Sequence, residues 1–198
     1  IERKEYLDWL IRWKEKQIIK VVSGVRRCGK STMFDIYRDY LLESDVNQDQ
    51  IIMLNFEDVD WEHLTNYRLL YDYIKSMLQP DRMNYIFLDE IQHVEQFEKA
   101  VDSLFLKENC DVYITGSNAY FMSGELATLL SGRYVELKML PLSFKEFCSG
   151  LDAQQREFSK NEKFNLYVEN GSFPYILKYR HGKKKHENTC GTYTTLFY

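Results

Sequence analysis

At 198 residues, with 44% hydrophobic and 28% charged residues, the chain has ordinary globular composition, and its length suffices for one good core with a small appended unit. A formal net charge of -4 argues against a protein that coats nucleic acid indiscriminately, though not against a local basic groove. No apolar run reaches the ~18 residues of a membrane helix and Ile1-Glu2-Arg3-Lys4 opens no apolar leader, so a cytoplasmic chain with no membrane partner is expected.

Residues 2–16 turn Tyr6, Leu7, Leu10, Ile11 and Trp13 toward one side, which predicts an amphipathic helix. The start on Ile1 rather than methionine suggests a fragment. A β-rich apolar strand follows at 17–23. Then Gly24-Val25-Arg26-Arg27-Cys28-Gly29-Lys30-Ser31-Thr32 fits G-x-x-x-x-G-K-[ST], and Met33, Phe34, Tyr37, Tyr40 and Leu41 predict a helix from the lysine to about residue 43. Strand, glycine-bearing loop and helix N-terminus together make a phosphate cradle, with loop N–H groups pointing inward and the helix end partly positive. Lys30 would neutralise β- and γ-phosphates, and the Ser31 hydroxyl would ligate Mg²⁺. A chance match in a strand-turn-helix is the bland alternative, and the correct flanks argue against it.

Residues 51–56 are a second buried-type strand ending at Asn55-Phe56-Glu57-Asp58. Leu64, Tyr67, Tyr71, Ile74 and Leu78 predict a helix stopped by Pro80. Strand three, 85–88, runs into Asp89-Glu90, two acids where a doubly buried strand rarely carries them. Beside a phosphate loop, Asp89 would hold the Mg²⁺ shell and Glu90 would polarise an attacking water; the alternative is a helix N-cap. Asn55 could hold Glu90 by a hydrogen bond. A helix at 97–105 leads to strand four, 112–115, whose end Thr115-Gly116-Ser117-Asn118 offers Ser117 or Asn118 to the γ-phosphate, or is a plain turn. A helix at 120–130 precedes Arg133 and strand five, 134–137. Arg133 could stabilise transferring charge, in a neighbouring subunit as well as its own, or be a solvated arginine.

This alternation implies a parallel sheet covered on both faces, with functional groups at the strands' carboxyl ends. Pro141-Leu142-Ser143 marks a boundary, with Ser143 capping a helix at 144–149 and a second helix at 154–170. The four cysteines show no metal-ligand spacing, so reduced thiols are expected. Cys28 has two readings: a thiolate favoured by Lys30 and the helix end, whose alkylation would block nucleotide, or a buried inert thiol. Lys183-Lys184-Lys185 reads as a solvated tail rather than a nucleic-acid patch.

Phosphate loop, Asp-Glu strand end, polar strand-four end and an arginine before strand five, in that order, resemble the AAA+ ATPases. Gly24 to Thr32, Asn55-Phe56-Glu57-Asp58, Phe87-Leu88-Asp89-Glu90-Ile91-Gln92, Thr115-Gly116-Ser117-Asn118, Ser131-Gly132-Arg133, Leu140-Pro141-Leu142-Ser143-Phe144-Lys145-Glu146-Phe147 and Gly171-Ser172-Phe173-Pro174 resemble, more narrowly, a group of poorly characterised prokaryotic ATPases whose P-loop domain precedes a C-terminal domain of unknown function. The resemblance implies a three-layer α/β/α P-loop fold with a mainly parallel five-stranded sheet in the order 5-1-4-3-2. The core would span 1–141, a helical lid 142–179, and a tail 180–198 would lead toward a missing C-terminal domain. It implies ATP and Mg²⁺ as cofactors, with Gly24, Val25, Arg26, Arg27, Cys28, Gly29, Lys30, Ser31 and Thr32 binding nucleotide and Ser31 and Asp89 the metal. Glu90, Lys30, Asn118 and Arg133 would be catalytic, Arg133 implying a second copy or partner that supplies or receives an arginine. No arginine stands beside Gly171-Ser172-Phe173-Pro174, where many AAA+ proteins place a second sensor. The rivals are a nucleotide-loaded switch with little turnover, a phosphotransferase, against which Asp89-Glu90 weighs, and a DNA-associated protein, for which no groove-reading element is present.

Overall fold

Five short apolar runs pair side by side, all in parallel. In the computed structural model, which describes residues 3–117, 128, 130, 132–154 and 158–178, they are β1 (Ile19–Gly24), β2 (Ile51–Asn55), β3 (Asn84–Asp89), β4 (Cys110–Ser117) and β5 (Tyr134–Met139). Their spatial order is β2-β3-β4-β1-β5, the expected 5-1-4-3-2 read from the other edge. Helices α1 (Lys4–Trp13), α2 (Lys30–Glu43), α3 (Tyr67–Met77) and α4 (Phe97–Phe105) cover the two faces. Successive strand residues point to opposite faces, so each central strand feeds two cores. Val21, Ile86 and Ile114 pack with Leu70, Ile74 and Val101 on the α3–α4 side. Val22, Phe87 and Tyr113 pack with Leu10, Phe34 and Tyr37 on the α1–α2 side.

Two helix starts differ from expectation by three residues or more, and capping explains both. α3 begins at Tyr67 rather than 64 because the Asn66 side chain accepts from the Arg68 amide, leaving Val59–Leu64 as a 3-10 turn. Beyond β5, α5 (Phe144–Asp152) opens with the expected Ser143 cap, closed into a box by Glu146. α6 (Lys160–Asn170) begins at 160, not 154, because Ser159 and Glu162 form a second box. With a 3-10 turn at Pro174–Lys178, these helices surround their own core of Leu142, Phe147, Leu151, Ile176 and Leu177. The expected helix at 120–130 lies outside the described residues apart from 128 and 130, as do Asn118, Ser131 and the tail from 179.

At the amino end of the sheet lies a polar network that periodicity does not reveal. Lys20 and Asp111, both fully buried, form an ion pair between β1 and β4. Asp111 Oδ2 also accepts from the Glu15 amide at 2.7 Å and from Tyr113 Oη at 2.8 Å. Tyr85 Oη donates to Glu15 Oε1 at 2.5 Å, and Lys20 Nζ donates to the Lys16 carbonyl at 2.7 Å. Burial pushes the lysine down and the carboxyl up, and the pairing opposes both shifts. Asp111→Ala should therefore lower stability by about 3–5 kcal/mol, because it strands a buried ammonium. Lys20→Met combined with Asp111→Leu should lose much less, and the midpoints of urea unfolding compare them.

Candidate functional site

A parallel sheet gathers the carboxyl ends of its strands on one edge, and there the candidate residues meet. Gly24, the last residue of β1, stands opposite Ser117 of β4 and Met139 of β5, while Asn55 stands opposite Asp89. The chain then loops from Gly24 to Lys30, where α2 begins. Only glycine fits at 24: a Cβ there would lie 2.4 Å from the Met139 carbonyl oxygen and 2.8 Å from Cys28 Sγ. Gly29 takes φ +104°, a left-handed turn into the helix, and Arg27 takes φ +66°. Val25, Arg26 and Arg27 face solvent, whereas Cys28 and Lys30 turn inward. Arg26 meets Glu57, from the end of β2, at 2.9 Å in an exposed pair.

The two acids of β3 reach the same edge. Lys30 Nζ lies 3.1 Å from Glu90 Oε1 and 3.4 Å from the Gly24 carbonyl oxygen. Lys30, Asp89 and Glu90 are each less than 10% exposed, so these charges interact with little screening. Glu90 Oε2 accepts from Gln92 Nε2 at 2.6 Å. Its backbone is left-handed at φ 52°, ψ 48°. Thr115, fully buried on β4, holds both acids: its hydroxyl donates to Asp89 Oδ1 and accepts from the Glu90 amide. Burial raises the Asp89 carboxyl above its ordinary value, against hydrogen bonds from Ser31 and Thr115 that lower it.

Ser31 and Asp89 thus touch across the gap between α2 and β3. A hydroxyl and a carboxylate are hard oxygen donors, and they border a cavity of about 190 Å³ that Asp35 and Asn55 also line. That donor set fits Mg²⁺, which takes one or two protein oxygens and completes its shell with phosphate and water. Among the described residues no group of three or more His, Cys, Asp or Glu forms a self-sufficient metal cluster.

One expectation changes and two open readings narrow. Asn55 does not hold Glu90; its side-chain oxygen accepts from the Glu57 amide, while Lys30 and Gln92 occupy the Glu90 carboxylate. Arg133 precedes β5 at the amino edge, its carbonyl accepting from the Ile19 amide, so about 20 Å of strand separates it from this chain's own loop. There it meets Asp102 at 3.5 Å and lies over the Phe105 ring. Of the two Cys28 readings, burial decides for the inert thiol: the residue is fully enclosed and desolvation raises its pKa, outweighing Lys30. A maleimide should label the half-exposed Cys148 well before Cys28 in the folded protein, as mass mapping of the adducts would read. Asn118 lies outside the described residues. Thr115 and Gln92 lie within motifs and Arg3 in none, and all three act through contacts that spacing does not encode.

A family model described as "AAA domain" matches residues 16–148. An uncharacterised protein of Haemophilus influenzae is 43% identical over 180 residues, covering 89% of this chain and 44% of the relative. The uncharacterised protein MJ1544 of Methanocaldococcus jannaschii is 35% identical over 170 residues, covering 80% of this chain and 36% of the relative. The chain thus spans less than half the length of either. Among solved structures, AMPPCP-bound DnaA from Aquifex aeolicus superposes with a TM-score of 0.60 at 13% identity, over 88% of this chain and 57% of that one.

Proposed function

The chain belongs to the AAA domain family, and from that premise we propose that it binds ATP with Mg²⁺ and hydrolyses it, passing the nucleotide state to its helical unit or to an assembly. The observation that carries this reading is the convergence of Lys30, Glu90 and Asp89 at one end of the sheet, beside the loop that leads into α2. The AMPPCP held by the similarly folded DnaA supports a nucleoside triphosphate as the ligand.

Gly24, Val25, Arg26, Arg27, Cys28, Gly29, Lys30, Ser31 and Thr32 form the phosphate cradle, and the α2 N-terminus adds its positive end. Lys30 leaves Glu90 to neutralise the β- and γ-oxygens. Released from the lysine, Glu90 orients the attacking water and accepts its proton, while Gln92 and Thr115 fix its carboxylate and backbone. Ser31 and Asp89 hold Mg²⁺, which when bound neutralises charge on the phosphates and leaving group. Ser117, opposite Gly24, presents a hydroxyl toward the γ-phosphate, and Asn118 follows it. Arg133 is too far to serve its own chain and would act on a neighbouring copy.

The test is phosphate release from ATP by the purified chain, with Mg²⁺ and with excess EDTA. Release that depends on Mg²⁺ is expected; a chain that neither binds ATP nor releases phosphate under any divalent-ion condition would sink the proposal. The Lys30–Glu90 pair favours one second reading, a nucleotide-loaded switch that turns over slowly, since the resting lysine already occupies the acid. Tight ATP binding with no measurable release would select it.

A further inference from the structure

Arg3 stands far in sequence from the phosphate loop, yet its guanidinium is buried beneath it, with the residue only 6% exposed. Nη1 donates to the Cys28 carbonyl at 3.0 Å. Nη2 donates to the Leu140 carbonyl at 2.7 Å and reaches that of Pro141 at 3.5 Å. Nε donates to Glu146 Oε1 at 2.8 Å, and the Tyr6 ring centroid lies 4.4 Å from Cζ. A guanidinium carries its donors in one rigid plane. Here that plane joins three separate parts: the loop, the connection leaving β5, and the first turn of α5. A burial this complete needs such partners, since an unpaired buried cation is costly.

We propose that Arg3 is a positioning residue that aims a phosphate-binding amide of the loop and ties that aim to the helical unit. The inference rests on the nucleotide reading above. The Cys28–Gly29 peptide is trans, so its C=O and N–H point in opposite directions. Anchoring the Cys28 carbonyl on Arg3 turns the Gly29 N–H away from the buried cation. Among the described residues that N–H has no hydrogen-bond partner, which leaves it to an incoming oxygen. A cation on the carbonyl also polarises the peptide and strengthens its N–H as a donor.

The other end of the guanidinium fixes what moves with it. Glu146 is locked in turn, its Oε2 accepting from Ser143 N at 2.7 Å and Ser143 Oγ at 2.8 Å. The connection that Arg3 grips donates from Leu142 N to the Ser172 carbonyl at 2.7 Å. Two residues on, Pro174 comes so close that a Cβ on Gly29 would lie 3.7 Å from its Cγ. The helical unit therefore meets the loop twice, through Arg3 at Cys28 and through Pro174 at Gly29. Rotating that unit would pull the guanidinium and turn the peptide, and an oxygen bound at Gly29 would resist the rotation.

The experiment uses Arg3→Gln, Arg3→Lys and Glu146→Gln in the full chain. Glutamine at 146 still closes the capping box and removes the charge facing Arg3. ATP affinity should fall on the order of tenfold in Arg3→Gln, with turnover at saturating ATP changed far less. Arg3→Lys should recover part of the affinity, as it keeps the charge without the fork. In nucleotide-free protein, the carbonyl ¹³C resonance of Cys28 should shift in both Arg3 variants. Hydrogen exchange in α5 should slow on adding ATP to the wild type and lose that response in Glu146→Gln. Folded Arg3 variants with an unmoved Cys28 resonance and wild-type affinity would overturn the proposal, as would an α5 response unchanged in Glu146→Gln. A wild-type chain that binds no ATP, yet shows the Cys28 shift, would instead overturn the nucleotide reading and leave the loop-aiming role standing.

Discussion

Glu90→Gln should reduce ATP turnover by about 100- to 10,000-fold, the usual contribution of a positioned general base, while ATP binds at least as tightly as in the wild type. The second half follows from the resting structure. Lys30 Nζ sits 3.1 Å from Glu90 Oε1, so this buried pair must part before the ammonium can reach a phosphate. Glutamine keeps the size and can still meet Gln92, but it releases the lysine. A titration of ATP against the variant, alongside single-turnover phosphate release, separates the two effects. Weaker binding would show that Lys30 and Glu90 do not compete; unchanged turnover would remove Glu90 from the chemistry.

Lys30→Ala should have the opposite signature. The phosphate oxygens lose a charge-assisted contact worth about 1.5–3 kcal/mol, roughly 10- to 100-fold in affinity, and turnover falls with it. The nucleotide-free protein should suffer as well. Glu90, 7% exposed, and its neighbour Asp89, 6% exposed, would then face each other with the lysine gone, and breaking a buried pair from one side costs more than removing both charges. Lys30→Met combined with Glu90→Gln should therefore be more stable to urea than Lys30→Met alone. The reverse order would mean that the pair contributes nothing to the resting fold.

The sheet and the loop were legible because their signals are contiguous. Residues 18–32 carry strand, turn glycines and helix start in one run, and Asp89-Glu90 ends an apolar strand in plain sight. Contacts between distant segments were not legible. Thr115 looks like turn chemistry until β4 lies beside β3 and its hydroxyl meets two acids at once. Arg3 reads as a charged residue in the first turn of an amphipathic helix, although its partners lie at Cys28, Leu140 and Glu146. Arg133 is a case of partial legibility. Its motif neighbours are correct, but a residue that precedes a parallel strand sits at the edge away from the loop. Lys20 and Asp111 occupy positions that alternation would give to apolar side chains, and only the cross-strand ion pair accounts for them.

Glu90 holds a left-handed backbone, φ 52° and ψ 48°, which costs an ordinary side chain about 1–2 kcal/mol and an asparagine or glycine less. A glycine or asparagine at position 90 would relieve that strain but strand the buried Lys30 ammonium, which costs more. Backbone strain at this corner is thus retained together with the acid it carries, so thermostabilisation of this domain must hold that codon fixed and seek its gains elsewhere.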